Sequence, residues 1–179
     1  MPPIDLRCIL RETVSAMYGD LVTRSTGQAV RCGVEQVLAE YDGEQIAVID
    51  FTGVRLLDLS CADEIVAKLL LQHGRTRPFL LRGISEDHQD VLEPVLERHG
   101  LAAVAQDRGG KLRLLGKIGE QVRVVFTMLA ERGAAGAGVK DVAEHLAVPT
   151  ATAREVCDEL LERRLAMADA AGGQVISLA

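Results

Sequence analysis

The sequence predicts an α/β domain over residues 1–116, followed by a small helical domain over residues 117–179. Up to Gly116, short apolar runs alternate with amphipathic segments, which is the pattern of a layered α/β domain. After Gly119 the apolar spacing becomes helical, and a glycine-containing hairpin pattern follows. With 179 residues, 48% of them apolar, the chain is long enough for one large or two small domains.

In the first domain, Asp5–Tyr18 predicts a short amphipathic helix. A second helix is predicted from Ser25 to about Tyr41, with Ser25 and Gln28 forming a capping box at its start. Ile46–Phe51 is a continuous apolar run, typical of a strand that is covered on both faces. The remaining elements are a helix from Ser60, a strand Pro78–Ile84, a helix Ser85–His99 ended by Gly100, and strands Leu101–Ala105 and Lys111–Leu115.

The second domain is predicted to contain three helices and a hairpin. The first helix has its apolar stripe at Val122, Val125, Phe126 and Leu129. The next two are Val139–Leu146 and Ala153–Leu161. Strands Leu165–Ala168 and Gln174–Leu178 then pair around the turn Asp169–Gly173.

Composition excludes several kinds of protein. Aromatic residues make up 3% of the chain and Trp is absent, which disfavours a nucleic-acid face of stacked rings. The net charge of -6 disfavours nonspecific binding to polyanions. Four scattered cysteines predict neither a zinc site nor a disulfide framework. With no signal-peptide pattern and no membrane-length apolar window, a cytoplasmic protein that does not contact a membrane is expected.

A serine and three acids form the first candidate site: Asp58, Ser60, Asp63 and Glu64. Ser60 and Asp63 fit a capping box at a helix N-terminus, which is a sufficient structural explanation. The functional alternative is that the exposed hydroxyl of Ser60 accepts a phosphoryl group. The neighbouring carboxylates would repel that group, so phosphorylation would change a partner interface. Arg24 and Arg31 are expected to form ordinary ion pairs with Asp50, Asp63 or Glu64.

The segment IDFTGVRLLDLSCADEI (residues 49–65) resembles the strand–loop–helix segment of STAS domains, the fold of anti-sigma-factor antagonists. LVTRSTGQAVR and DLSCADEIVAKL are similar to a STAS-like family of bacterial proteins, so the resemblance covers roughly residues 21–115. It implies a domain that docks a protein partner, such as an anti-sigma-type ATPase or kinase. In the antagonists an Asp-Ser pair opens the helix, and the partner kinase phosphorylates that serine. Here Leu59 follows Asp58, so Ser60 becomes the phosphoserine only if the loop shifts by one residue.

The spacings after Lys117 resemble a winged helix-turn-helix domain. If such a domain binds DNA, the start of its third helix enters the major groove, here with Thr150, Thr152 and Arg154. Lys140, Arg163 and Arg164 would then contact the DNA backbone. From Lys117 onward, however, nine acidic residues outnumber seven basic ones, which disfavours phosphate binding. The fold also serves protein contacts, so DNA and protein docking both remain open.

The sequence contains no HExxH, GxSxG, P-loop or dinucleotide-binding pattern, so neither an enzyme nor a cofactor is predicted. His73, His88, His99 and His145 stand alone and are expected to be structural. The expected function is a bacterial-type signalling protein. In it a STAS-like domain docks a protein partner and a winged helix passes the signal on, either as a transcriptional regulator or as a non-DNA-binding adaptor. Winged-helix regulators are often homodimers, but no heptad run here indicates one.

Overall fold

A mostly parallel five-stranded sheet organises the protein, whose computed structural model describes residues 1–14, 20–41, 45–169 and 173–178. The first part contains β1 (Ile4–Asp5), α1 (Leu6–Thr13), β2 (Asp20–Leu21), α2 (Arg24–Ala39), β3 (Ala47–Asp50), β4 (Leu56–Leu57), α3 (Leu59–Ala62), a π-helical turn (Asp63–Ala67) and α4 (Lys68–His73). It continues with β5 (Phe79–Ile84), α5 (Glu86–Arg98), β6 (Ala102–Asp107) and β7 (Leu112–Gly116).

The strand order in the main sheet is β1-β3-β5-β6-β7. The first four strands run parallel, and β7 returns antiparallel to β6 through a turn closed by the Gly110 N–H and the Asp107 carbonyl. A separate parallel pair, β2 with β4, lies outside this sheet. The predicted mixed α/β class is therefore confirmed, with helices connecting the parallel strands.

Each face of the sheet has its own apolar core, since successive side chains of a strand point to opposite faces. Ile49 and Leu81 lie on the face covered by α1–α5. Leu80, Val104 and Leu114 are aligned across neighbouring strands on the other face. Val48 and Ile46 also pack against this second core, so the expectation that Ile46–Phe51 is covered on both faces is confirmed.

The C-terminal elements cover the second face. They are α6 (Glu120–Arg132), a 3₁₀ turn (Gly133–Ala135), α7 (Val139–Leu146), α8 (Thr150–Glu162), β8 (Met167–Ala168) and β9 (Val175–Ile176). β8 and β9 pair antiparallel, and a bridge from Ala137 to Val175 adds a third short strand segment. Phe126 and Leu129 of α6 share a core with the sheet residue Leu80. The two halves of the chain are therefore packed against each other through apolar side chains.

Two details of the helix starts correct the sequence predictions. Helix α2 begins at Arg24 and not at Ser25, because the Thr23 hydroxyl accepts the Thr26 N–H at 3.4 Å and forms the N-cap. The predicted capping box of Ser25 with Gln28 is therefore wrong. Helix α1 has Asp5 as its N-cap and ends at Thr13, while residues 15–18 of the predicted helix lie outside the described ranges.

Candidate functional site

Helices α2 and α3 begin side by side at one edge of the α/β half. Strands β2 and β4 run parallel, and each leads into a helix, so both helix N-termini point the same way. Asp58 joins them, because one carboxylate oxygen accepts the Cys61 N–H at 2.7 Å and the other accepts the Thr23 N–H at 2.8 Å. We call residues 22–26 and 56–60 the helix-start edge.

Ser60 is the second residue of α3 and not its cap, so the predicted capping box of Ser60 with Asp63 is wrong. The Ser60 hydroxyl donates to Asp58 at 2.8 Å and is half-buried. Burial raises the pKa of Asp58, but the N–H groups of Cys61 and Thr23 and the Ser60 hydroxyl outweigh burial and lower it. A phosphoryl group on Ser60 would lie against this ionised carboxylate and break the junction between the two helices.

The backbone at Thr23 is strained. Its φ of 76° and ψ of 141° lie in a region that β-branched residues avoid, at a typical cost of about 1–3 kcal/mol. Two long-range contacts hold it there: its N–H donates to Asp58, and its carbonyl accepts the Cys61 thiol at 3.0 Å. Burial raises the pKa of Cys61 to about 12, which keeps the thiol protonated for this contact.

Replacing Thr23 by glycine is expected to raise the free energy of unfolding by about 1 kcal/mol. Strain relief at positive φ exceeds the entropic cost of glycine, and glycine at an N-cap loses only a few tenths of a kcal/mol. Urea denaturation of Thr23→Gly against the wild type measures the change. The matched control is Thr76→Gly, which removes a threonine from a position without positive φ and is expected to give no stabilisation. A less stable Thr23→Gly variant would contradict the assignment of strain.

Behind the helix-start edge lies a buried carboxylate pair. Asp63 and Glu64 are 6% and 3% exposed, and both occupy the π-helical turn, a distortion that often marks functional positions. Helix α2 approaches this turn closely because Gly27 has no side chain, and a Cβ there would lie 3.0 Å from the Glu64 Cβ and 2.9 Å from the Cys61 Cα of α3. The close approach places Arg24 of α2 over both acids, at 3.0 Å from Asp63 and 2.9 Å from Glu64.

Asp63 also accepts hydrogen bonds from the end of α5, from His99 Nε2 at 2.7 Å and from Arg98 at 2.8 Å. Burial raises the pKa of Asp63, but the His99, Arg24 and Arg98 hydrogen bonds outweigh burial and lower it to about 2. Asp63 therefore links α2, the π-helical turn and α5 through an ionised carboxylate. His99 is structural in this respect, as its position at a helix C-terminus suggested.

Glu64 is held by cations on its own helix and on α2. One oxygen accepts Lys68 Nζ and Arg24, and the other lies 3.5 Å from Arg31 Nε. Burial raises the pKa of Glu64, whereas Lys68 and Arg24 lower it by more. The expected ion pairs of Arg24 and Arg31 with Asp63 and Glu64 are thus confirmed. Asp50, the third acid considered, instead pairs with Arg82. Neither Asp63 nor Glu64 is exposed enough to contact a partner, so these two predicted docking residues have a structural role.

Exposed leucines surround Asp58 on the helix-start edge. Leu56 is 58% and Leu59 57% exposed, and Val22 beside Thr23 is exposed as well. Sequence reasoning missed them as functional candidates because a short leucine run beside a helix is normally read as core. The available signal was the Leu56-Leu57 pair of β4, in which strand alternation turns one leucine outward. No local pattern marks Leu59, the first residue of α3, as exposed. Large exposed apolar groups clustered around a rigid backbone are typical of a protein-binding surface.

The residues predicted to contact DNA do not lie together. Thr150 and Arg154 are exposed and Thr152 is half-buried at the start of α8, and Lys140 is exposed on α7. Arg163 and Arg164 lie beyond the other end of α8, roughly 20 Å away at 1.5 Å per residue.

Arg163 and Arg164 instead join the two halves of the chain. Arg163 donates to the carbonyls of Lys117 at 2.9 Å and Gly100 at 3.3 Å, and it also pairs with Glu159. Arg164 Nε donates to the Arg75 carbonyl at 3.3 Å. Arg163 and Arg164 thus contact the α/β half at the end of α8 that is remote from Arg154, and their contact with a DNA backbone stays a prediction.

No family model, curated protein or solved structure matches this chain. Within the described ranges, no group of three or more His, Cys, Asp and Glu side chains is arranged to hold a metal ion. None of the described helices is both long and apolar enough to cross a bilayer.

Proposed function

We propose that this chain is a cytoplasmic regulatory protein whose STAS-like α/β half docks a protein partner at the helix-start edge. The C-terminal half is a winged helix-turn-helix that passes the signal on. The observation that supports this proposal best is the exposed leucine pair Leu56 and Leu59 on either side of the Asp58 cap. An anti-sigma-type ATPase or kinase remains the proposed partner.

Leu59 occupies the position at which the resembling antagonists carry their phosphoserine. An apolar side chain there cannot be phosphorylated. It therefore offers the partner an apolar contact that phosphorylation at this position cannot switch off. The Asp58 and Thr23 contacts fix the backbone around it, which lowers the entropic cost of binding. We therefore propose an interface that is not regulated by phosphorylation at this position. Ser60, held by Asp58, contributes to the rigidity of the surface.

Charge indicates which partner surface fits. Arg24 and Arg55 have 57% and 75% exposed side chains; Arg55 directly precedes Leu56 in sequence, and Arg24 follows Thr23 on the helix-start edge. Arg24 is partly neutralised by the buried acids below it, and Arg55 pairs with Asp20. The solvent-exposed guanidinium N–H groups of Arg24 and Arg55 still favour a partner segment that combines apolar side chains with carboxylates. Such a segment would place its apolar residues on Leu56 and Leu59.

Leu59→Glu is expected to weaken partner binding at least about tenfold, because it buries a charge in the centre of an apolar contact. Biolayer interferometry with an anti-sigma-type ATPase or kinase from the same genome measures the affinity. Leu71→Glu is the matched control, since Leu71 is 54% exposed on α4, away from the helix-start edge. If Leu59→Glu and Leu71→Glu reduce the affinity equally, the docking edge is wrongly assigned.

In the proposed winged helix, the excess of acidic side chains on α7 and α8 favours a protein partner over DNA. Helices α7 and α8 contain two cations, Lys140 and Arg154, and six carboxylates: Asp141, Glu144, Glu155, Asp158, Glu159 and Glu162. DNA binding requires several phosphates to be neutralised, and this surface repels them. The adaptor alternative, with protein-binding surfaces on both halves, is therefore better supported than the transcriptional regulator.

A transcriptional regulator remains the second candidate, because Arg154 and Thr150 are exposed at the start of α8 where a DNA reader needs them. Fluorescence anisotropy with random and native upstream DNA at two salt concentrations distinguishes the adaptor from the transcriptional regulator. The adaptor is expected to show no micromolar binding at low salt. Micromolar binding that weakens with salt and is lost in Arg154→Ala would establish the regulator instead.

A further inference from the structure

A cleft of about 480 Å³ lies between the two halves of the chain. Its first wall comes from the end of α4 and the loop after it, with Leu70, Leu71 and Arg75. Its second wall comes from the segment that leaves α8, residues 163–165, and Leu101, which directly precedes β6, also lines it. Binding sites for small molecules typically have volumes of about 300–1,000 Å³ and occur preferentially at such junctions.

The cleft is strongly cationic. Its ionisable lining residues are Arg75, Arg77, Arg163 and Arg164, together with His99 and one acid, Glu162. Three of the basic groups are already engaged. Arg77 is buried and donates to the carbonyls of Leu38 and Tyr41 at the end of α2. Arg163 pairs with Glu159, and His99 with Asp63.

Arg75 and Arg164 are the remaining two cations. In the part of the chain that the structure describes, neither has a carboxylate within ion-pairing distance. The Arg164 Nε donates to the Arg75 carbonyl, so the Arg164 side chain extends across the cleft to the residue that carries the second free guanidinium. Two guanidinium groups that have no ion-pair partner and line one cleft, on segments from different halves of the chain, are a natural site for an anion.

The backbone conformation of Arg164 is one that favours glycine, which supports a binding role for the arginine side chain. Arg164 has a φ of 56° and follows the end of α8, while the Leu165 N–H donates to the Leu160 carbonyl at 2.9 Å. This is the left-handed position of a helix C-terminus, which glycine normally occupies because it has no Cβ. An arginine here costs stability that glycine would avoid. The chain keeps a guanidinium at this position despite that cost.

We propose that this cleft binds a small organic phosphate, with Arg75 and Arg164 contacting the phosphate group. The apolar part of the ligand would lie on Leu70, Leu71 and Leu101. Because the walls belong to different halves of the chain, the bound anion would tie the C-terminal half to the α/β half. The proposal does not depend on the helix-start edge, so either can fail without the other.

The test is a titration of the ¹⁵N-labelled full chain with phenyl phosphate and with AMP at constant ionic strength, followed by NMR. Phenol and inorganic phosphate serve as the half-ligands. At least one organic phosphate is expected to bind saturably, with shifts at Arg75, Gly100 and Arg164, and more tightly than either half-ligand. Arg164→Gly is expected to weaken that binding at least about tenfold. Its fold is retained because glycine suits the left-handed backbone.

Arg75→Ala is expected to weaken binding similarly, whereas Arg108→Ala, which removes an arginine in the β6–β7 turn outside the cleft, should leave the affinity unchanged. The proposal is overturned if neither organic phosphate binds saturably, if the shifts lie outside the cleft, or if Arg164→Gly retains the wild-type affinity.

Discussion

Asp63→Asn is expected to lower the free energy of unfolding by about 2–3 kcal/mol at neutral pH. The substitution removes the buried carboxylate that accepts from His99, Arg24 and Arg98. His99 and Arg98 then lose this carboxylate partner, whereas Arg24 keeps Glu64. The expected decrease in the free energy of unfolding is near the lower end of the values for buried ion pairs, because Arg24 and Arg98 can turn into solvent. Urea denaturation of both proteins measures the difference. Asp90→Asn, an exposed acid on α5, is the control and should change stability by less than about 0.5 kcal/mol.

The stability difference should depend on pH with a definite sign. The pKa of Asp63 in the folded protein is about 2, below the value of about 3.9 for an unfolded chain. A lowered folded-state pKa adds stability above the unfolded value, and that contribution disappears as the pH falls toward the folded value. The gap between wild type and Asp63→Asn should therefore be full at pH 6 and shrink between about pH 5 and pH 2. A gap that is constant over this range would contradict the assignment.

Leu80→Ala is expected to cost about 3 kcal/mol and to destabilise both halves of the chain together. Leu80 is 5% exposed at the centre of the sheet, on the face that packs against α6. Its removal leaves a cavity in the core that the two halves share. Because the C-terminal helices cover this face, losing their packing also exposes Val104 and Leu114. The expected result is one cooperative transition shifted to lower denaturant.

Hydrogen–deuterium exchange measured by mass spectrometry distinguishes this outcome from local melting. In Leu80→Ala, protection should fall by the same free energy in β5, β6 and α6, since global unfolding limits all three. Leu81→Ala, on the opposite face of the same strand, is the matched variant and should give the same pattern. Selective loss of protection in residues 120–162, with the sheet unchanged, would show that the halves fold independently.

The sequence allowed most elements of the fold to be predicted, because their apolar periodicities are local. The predicted bounds agree with the structure within two residues for the strand Ile46–Phe51 and for the helices Ser85–His99 and Val139–Leu146. The helix caps were harder to predict. Thr23, Ser25 and Thr26 all carry hydroxyl groups, and only the backbone conformation at Thr23 decides which of them forms the cap.

The long-range contacts of the site could not be derived from local patterns. Asp63 meets His99 across 36 positions of sequence, and Asp58 meets Thr23 across 35. Such pairs depend on how strands and helices stack in space. Arg163 illustrates the same limit. Its sequence position beside α8 suggested a DNA contact, whereas the packing of the two halves places it against the carbonyls of Gly100 and Lys117.

Photo-crosslinking from position 59 tests the proposed docking edge most directly. Benzoylphenylalanine would replace Leu59 in one protein and Leu71 in another, because both leucines are similarly exposed. Irradiation in the native host, followed by mass spectrometry of the adducts, identifies what each position touches. We expect a distinct protein adduct from position 59 that is absent from position 71 and disappears when Leu56→Glu is added. No adduct from position 59, or the same adducts from both positions, would contradict it.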